Sequence, residues 1–476
     1  MTGSPNDART GTGNAAVAQR LDSDPAEADA VPRPPAADDR TGSADDRTGT
    51  GGEGIGAGGS APVGPARRNW AGNVRYAARR YHRPATVDEL RRLVAGAERV
   101  RAVGTGHSFN RLGDTTGDLV SLAGLPATFQ LDRDRCTVTV PAATRYGDLA
   151  ARLHAQGYAL ANLASLPHIS VAGAVATGTH GSGETIGSLA SAVAGLELVT
   201  ADGDLLTVDR ASDGDPFAGM VVSLGALGVV TRVTLDVVPA FDIRQHVRLD
   251  LSRADLDAAF ASAYSVSVFT DWRAPRLREV WVKQRAEAAP LPADWLGTTA
   301  ADAPRHPVLG MPPQNCTPQL GVPGPWHERL PHFRLGFTPS SGEELQSEYH
   351  VPRAVAAEAL AALDAVADLI APVLKVCELR AVAADRLWLS PHYDRDSLAI
   401  HFTWVADAAA VLPVVAAVEE RLAPFAPRPH WSKVFGLAPS AVAASHPRYA
   451  DFLGLLRRLD SAGKFRTDLL DRYFPR

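Results

Sequence analysis

A chain of 476 residues, 45% hydrophobic and 21% charged, is long enough for two or three domains with large buried cores. Its 48 basic and 53 acidic side chains sum to a formal charge of -5 and form no basic stripe, so nucleic acid is excluded as a partner. No run of about 18 apolar residues occurs, and Arg67 and Arg68 precede polar residues rather than an apolar signal core, so a soluble cytoplasmic protein without membrane contact is expected.

Residues 1–68 contain no Phe, Tyr or Trp and repeat Asp-Asp-Arg-Thr-Gly at 38–42 and 45–49. Such a segment buries too little apolar surface to offset its ordering entropy, which predicts a disordered tail. Order is expected from Asn69 and Trp70. Thr86-Val-Asp-Glu89 reads as a capping box opening a helix through Leu90, Leu93 and Val94. A short strand, Val100 to Val103, then runs into Gly104-Thr-Gly-His-Ser-Phe-Asn110. Cys136 to Val140 alternates as a strand, and Tyr146 to Gly157 has helical periodicity closed by glycine.

The run Ser165 to Gly183 is rich in glycine and small residues and almost free of charge, a backbone suited to close approach of a ligand. Strands are expected at Leu196 to Val199, Leu205 to Val208 and Val229 to Val237, the last introduced by Ser223-Leu-Gly-Ala-Leu-Gly228. From about residue 242 the pattern changes to longer, antiparallel-looking strands with Pro-rich connections such as Gly321-Val-Pro-Gly-Pro325, and a second domain is placed there. Cys136, Cys316 and Cys377 lie far apart without ligand spacing. They are read as reduced structural thiols, with neither disulfide framework nor metal site.

Gly104-x-Gly106 after a strand exposes backbone N–H groups that can cradle an anion. The third glycine of the dinucleotide fingerprint is absent, and His107 follows the pair. A histidine held against a cofactor by a tight turn invites covalent attachment; the alternative is a turn histidine bonded to backbone. The second glycine-rich run adds another cradle, as a dinucleotide with a pyrophosphate and an isoalloxazine ring requires, unless it is close packing between strands. Further along, period-2 geometry puts Glu378 and Arg380 on one strand face and His401 and Thr403 on another, away from Leu398, Ile400, Phe402 and Trp404. In His430-Trp-Ser-Lys-Val-Phe435 the same alternation sets Lys433 with Trp431 and Phe435. Each pair alone suits a solvated sheet face or an ion pair; all five in strands otherwise nearly free of charge favour a polar cavity.

Taken together, Gly104 to Asn110, Ser165 to Gly183, Ser223 to Gly228 and His430-Trp-Ser-Lys433 resemble the vanillyl-alcohol-oxidase-type flavoproteins, most closely the bacterial alditol oxidases. Phe269-Thr-Asp-Trp-Arg273, Gly324-Pro-Trp-His-Glu-Arg-Leu-Pro-His332 and Glu344-Leu-Gln-Ser-Glu-Tyr349 also resemble that branch, and the likeness runs from about Asn69 nearly to the C-terminus. It implies an α+β fold: a two-subdomain FAD-binding domain at 69–241, a substrate domain with an antiparallel sheet at 242–429, and a segment at 430–476 returning to the FAD domain.

The same resemblance implies FAD bonded covalently through His107 and contacted by Gly104, Thr105, Gly106, Ser108, Asn110, Ser165, Ser170, Gly173, Ala174, Thr177, Gly178, His180, Gly181, Gly228, Val229 and His430. Ser165, Glu378, Arg380, Thr403 and Lys433 are implied around the substrate, with Lys433, Arg380 and His401 carrying the chemistry. The expected reaction, by a monomer, is oxidation of a terminal hydroxyl of an acyclic polyol such as xylitol or sorbitol to the aldehyde, with O2 reduced to H2O2. The alternatives are an aldonolactone oxidase or dehydrogenase on the same fold, and a flavin-carrying sugar-binding protein without turnover. One departure from the branch is Asp460-Ser-Ala-Gly-Lys-Phe465, where relatives carry proline after the aspartate; it touches a turn and no chemistry.

Overall fold

The strand and helix signals of the first 240 residues resolve into three small sheets in a computed structural model that describes residues 67–337 and 342–476. Strands β1 (Arg80–His82), β2 (Val100–Val103) and β3 (Asp118–Ser121) form a parallel sheet in the order β1–β3–β2. The crossover between β1 and β2 is helix α1 (Val87–Gly96). Thr86 Oγ1 accepts the Glu89 N–H at 3.1 Å, while the Glu89 carboxylate accepts from Ala85 N–H at 2.8 Å. The box therefore closes one residue upstream of its usual partner, satisfying one donor that the helix start leaves free, the Glu89 N–H, and one just ahead of the cap, the Ala85 N–H. Leu90 and Val94 pack with Val100, Val120 and Phe465.

A five-stranded antiparallel sheet has the order β4–β5–β9–β7–β8, from β4 (Gln130–Asp132), β5 (Thr137–Pro141), β7 (Val193–Val199), β8 (Leu205–Asp209) and β9 (Val229–Asp236). β6 (Tyr158–Ala159) pairs with β10 (Val238–Pro239). The expected helix appears as α2 (Tyr146–Ala155), after which Gly157 takes φ +81, a turn conformation that glycine adopts without steric cost. Cys136 precedes its strand, at φ +49 and exposed, which corrects its reading as a structural thiol; Cys316 and Cys377 are buried. Within the glycine-rich run lies α3 (Val171–Ala176), a helix whose small residues carry no amphipathic period to reveal it.

From Asp242 onward the strands build one antiparallel sheet: β11 (Asp242–Leu251), β12 (Ser265–Thr270), β13 (Leu277–Arg285), β14 (Thr299–Ala300), β15 (Gly324–Pro325), β16 (Glu344–Pro352), β17 (Leu374–Val382), β18 (Ser397–Val405) and β19 (Arg428–Pro429). Its order is β14–β11–β13–β12–β17–β18–β16–β19, with β15 also on β11. Alternation sorts its two faces. Tyr349, Leu379, Ile400, Phe402 and Trp404 are fully buried on one face, in a cluster with Leu360, Leu363, Val411, Val415 and Val418 of the helices Ala356–Asp364 and Ala408–Leu422. Each such apolar side chain stabilises the fold by roughly 1.5–3 kcal/mol.

The C-terminal segment meets the first sheets. Lys464 C=O accepts the Val100 N–H at 3.0 Å, and its ammonium donates to Val94 C=O and Ala201 C=O, both at 2.7 Å. Asp460 closes its turn by accepting the N–H groups of Lys464 and Phe465 at 2.7 and 3.0 Å. The expected tail falls, for residues 1–66, outside the described residues. Arg67 and Arg68, assigned to it, are already engaged: Arg67 C=O accepts from Tyr76 N–H at 3.0 Å, and Arg68 bridges Arg75.

Candidate active site

A cleft of about 1070 Å³, open mouth included, is lined by Gly104, Thr105, Gly106, His107 and Ser108 after β2, by Ser170, Gly173, Ala174 and Thr177 around α3, and by Gly228 before β9. Both glycine cradles thus meet in one place. Arg101, absent from the sequence reading, is buried behind it, donating to Gly225 C=O at 2.7 Å, to Phe465 C=O at 3.2 Å and to Leu224 C=O. Those bonds fix the 223–228 loop against the cleft.

The cleft's chemistry fits FAD. Among the described residues, the N–H groups of Thr105, Gly106, His107 and Ser108 find no acceptor, a ready cradle for an anionic pyrophosphate. Gly106 holds φ +74, and a Cβ on Gly104 would stand 2.2 Å from Ser170 Oγ, so this backbone is bare where a cofactor needs close approach. The His107 ring stacks on Trp70 with centroids 5.0 Å apart, its Nδ1 lies 2.9 Å from Thr105 Oγ1, and its Nε2 is buried with no partner. Burial, helped by His168, pushes its pKa down to about 4, so the imidazole is neutral and nucleophilic at physiological pH.

Other residues assigned to the cofactor lie elsewhere. Asn110 spends its amide on Trp431 C=O and Lys433 C=O, both at 2.8 Å, which tethers the 430 loop. Gly178 takes φ +66 against Pro391, and a Cβ on Gly181 would meet Asn162 Oδ1 at 2.1 Å, so the second half of the glycine-rich run serves close packing. Val229 points into the core around Val199 and Phe465. His180 and His430 sit in a buried group with His350 and His392, centroids 4.6–6.2 Å apart.

The polar face of the large sheet brings the remaining candidates together. Glu378 pairs His401 across β17 and β18, and His401 pairs Glu348 across β18 and β16. Arg380 lies two residues along β17 and Thr403 two along β18. Arg380 Nη1 lies 3.5 Å from Ser165 Oγ, and Ser165 C=O accepts the His332 N–H at 2.9 Å. Lys433 arrives from outside the sheet. The strand reading of 430–435 is corrected here: Lys433 N–H bonds His430 C=O at 3.0 Å in a turn. The turn separates Trp431, which packs on His446, Phe474 and Phe435, from the lysine, which reaches into the polar cluster.

Glu348 is the centre of that cluster, although the sequence reading gave it no role. Its side chain is 0% exposed. Oε1 accepts from Arg380 Nη2 at 2.9 Å and from His180 Nε2 at 3.0 Å; Oε2 accepts from Lys433 Nζ and lies 3.6 Å from His401 Nδ1. Burial alone would raise this carboxyl, but Lys433, His180 and Arg380 together hold it well below the ordinary range. Glu378 is likewise held low, against burial, by Arg380 and His332. Behind it, Lys283 Nζ donates to His332 Nδ1 at 3.1 Å and His332 Nε2–H to Glu378 Oε1 at 2.8 Å. Burial lowers His332 to about 4 and Lys283 to about 7.

Lys433 donates to His401 Nδ1 at 2.7 Å, which leaves the His401 proton on Nε2, directed at Thr403 Oγ1 at 3.1 Å. Burial, then Lys433, pushes His401 down to about 4. Burial also lowers Lys433 from its ordinary value, opposed chiefly by Glu348. A neutral imidazole and an ammonium thus lie where a hydroxyl that replaces their mutual bond can accept from the ammonium and donate its O–H to Nδ1. Among the described residues, no helix is long and apolar enough to cross a membrane.

Two family models match the chain: an FAD binding domain over residues 78–209 and a D-arabinono-1,4-lactone oxidase over residues 342–473. The chain is 54% identical over 413 residues to an alditol oxidase of Streptomyces sp. (strain IKD472 / FERM P-14339), a match spanning 85% of this chain and 98% of the relative. It is 28% identical over 437 residues to an L-gulono-1,4-lactone dehydrogenase of Mycobacterium tuberculosis, spanning 86% and 99%. Among solved structures, the crystal structure of cholesterol oxidase from B. sterolicum aligns with a TM-score of 0.68 at 15% identity, over 87% of this chain and 98% of that one. At that identity the shared property is the fold.

Proposed function

The chain belongs to the alditol oxidase family of vanillyl-alcohol-oxidase-type flavoproteins, and from that membership we propose how its residues divide the work of oxidising a polyol. It is an FAD-dependent oxidoreductase that acts on the CH–OH group of alditols with oxygen as acceptor. Bound FAD supplies a hydride acceptor for the carbinol carbon and a route for its two electrons to oxygen. Residues 69–241 are assigned to the cofactor, 242–429 to the substrate, and 430–476 to the segment that carries Lys433 back between them. His107 is assigned the covalent bond to the flavin 8α-methyl carbon, supported by its neutral imidazole and unpartnered Nε2 in the cleft wall.

The observation that carries the mechanism is the 2.7 Å contact between Lys433 Nζ and His401 Nδ1. A terminal hydroxyl replaces that direct bond and separates the two groups, accepting a hydrogen bond from the ammonium and donating its own to the freed Nδ1. His401 takes the hydroxyl proton as alkoxide character develops, while Lys433 and Arg380 stabilise the oxygen's negative charge. Ser165, Thr403 and Glu378 hold the neighbouring hydroxyls and so fix which carbon reacts, the terminal one, giving an aldehyde and hydrogen peroxide.

The test is anaerobic mixing with xylitol or sorbitol, which should bleach the flavin absorbance, followed by aerobic assays that count peroxide. A second reading, a lactone substrate, is favoured by the match of residues 342–473 to a lactone oxidase model. The same assays separate them: a galactono- or gulono-lactone with a higher kcat/KM than every alditol tested would overturn the polyol assignment and leave the flavin chemistry standing.

A further inference from the structure

We propose that Glu348 is a positioning residue of the alditol reaction, acting through Lys433: its buried carboxylate fixes the place and the charge of the ammonium that meets the substrate oxygen. The proposal rests on the role given to Lys433 above.

The geometry is that of one anion shared by two cations. Arg380 is buried, the Lys433 side chain is only 12% exposed, and both are aimed at Glu348, one at each carboxylate oxygen. The anion lies where it offsets the repulsion between them. His180 supports it from behind, its Nε2–H donating to Oε1 at 3.0 Å. Register explains the placement: Glu348 pairs His401 on β18, so its side chain leaves the sheet on the same face, beside the imidazole that Lys433 also touches. A carboxylate fully removed from water and bonded by three different elements is held by them, and holds them in return.

Consider the charges that face Lys433. Glu348 and Glu344 come from β16, Glu378 and Arg380 from β17, His401 from β18, His180 from the glycine-rich run, and His430 from its own turn. The three histidines are neutral at pH 7 because burial lowers each of them. If Glu348 loses its charge, Arg380 remains cationic, since a guanidinium does not give up its proton in proteins. The lysine can, and its ammonium becomes the group that relieves the excess positive charge. A neutral Lys433 no longer stabilises the oxygen. Because the ammonium is the working form, flavin reduction persists below the Lys433 midpoint and is lost as pH rises through it.

The sequence makes this directly measurable, because it holds only four lysines, Lys283, Lys375, Lys433 and Lys464. Holoenzyme labelled with 13Cε-lysine therefore gives four side-chain signals, and the one missing from Lys433→Met is that of Lys433. Its midpoint in Glu348→Gln is expected at least one pH unit below wild type, and the alkaline limb of the flavin-reduction rate with xylitol should move down with it. Glu348→Asp keeps the charge and withdraws it by one methylene, so it should lower the midpoint by less. Should the Gln variant not hold its flavin, the Asp variant alone carries the test, and a midpoint equal to wild type would overturn the proposal. So would a lysine midpoint that moves while the rate limb stays, or a rate that falls by the same factor at every pH, which is what mere structural damage produces. If no alditol reduces the wild-type flavin, the functional reading fails, while the lysine titration still decides whether Glu348 controls Lys433.

Discussion

Replacing Gly104 with alanine tests the closest approach in the cofactor cleft. The added Cβ would stand 2.2 Å from Ser170 Oγ and 3.3 Å from Ser170 Cβ. Non-bonded heavy atoms rest at roughly 3.5–4 Å, so the hydroxyl contact is more than an ångström too short, whereas the carbon contact is merely tight. Ser170 Oγ occupies space left by two glycines, since it also lies 2.8 Å from where a Cβ on Gly173 would be, so relief of the clash means turning the hydroxyl out of that space. Overpacking of this kind costs about 1–3 kcal/mol. Ser170→Ala removes the offending oxygen, so Gly104→Ala/Ser170→Ala should recover most of the loss, with a coupling of about 1–2 kcal/mol across the double-mutant cycle. The cycle is measured by urea denaturation followed through the flavin signal, with flavin content from absorbance as the companion readout. A double variant no more stable than Gly104→Ala would refute the contact, and with it the account of why this turn is bare.

Acid-precipitated wild-type protein should stay yellow and the His107→Ala precipitate should be colourless, because a carbon–nitrogen bond survives loss of the fold. If His401 accepts the hydroxyl proton, kcat/KM must fall as pH drops through about 4, where the imidazole becomes protonated, tenfold per unit at lower pH; peroxide assays across pH 3–7 check it, and a limb centred near pH 6.5 would mean that His401 is not the group titrating. Ile400→Ala, on the buried apolar face of β18, should cost about 2–5 kcal/mol in urea denaturation and leave the flavin-reduction rate of the folded protein within about twofold of wild type.

Much of this fold can be read residue by residue. The strand at Val100, the helix at Tyr146 and the faces of β17 and β18 follow from apolar periodicity, because each element buries one side against a core. Leu398, Ile400, Phe402 and Trp404 define their face so strongly that His401 and Thr403 are assigned to the other with no further information. Periodicity misleads where no regular element exists. At 430–435, alternating bulk imitates a strand, but Asn110 and Phe109 hold the backbone of this segment in a turn through bonds formed across more than 300 residues of chain. The α3 helix fails in the opposite sense, being regular structure made of residues too small to show a pattern.

Glu348 was illegible for a different reason. Glu344, Gln346 and Glu348 alternate with Leu345, Ser347 and Tyr349, and such a polar row is what a strand with one face in water displays. Only register reveals that this row continues across His401 to Glu378 and faces the protein interior. The resulting cluster sets two carboxylates, Glu348 and Glu378, against two cationic partners, Arg380 and Lys433, with Lys283 near its midpoint at neutral pH. Its buried charges nearly cancel among themselves. A substrate entering such a site is asked for hydrogen bonds and not for a counter-charge, since an anionic sugar acid would compete with the carboxylates for Lys433 and Arg380, and a cationic amine would face both. A neutral polyol disturbs neither pairing, and its closely spaced hydroxyls can satisfy Ser165, Thr403 and the free edge of Glu378 at once. Apolar alcohols leave those groups unpaired at about 1–3 kcal/mol each, so discrimination against them follows from the same charge balance that keeps Lys433 cationic.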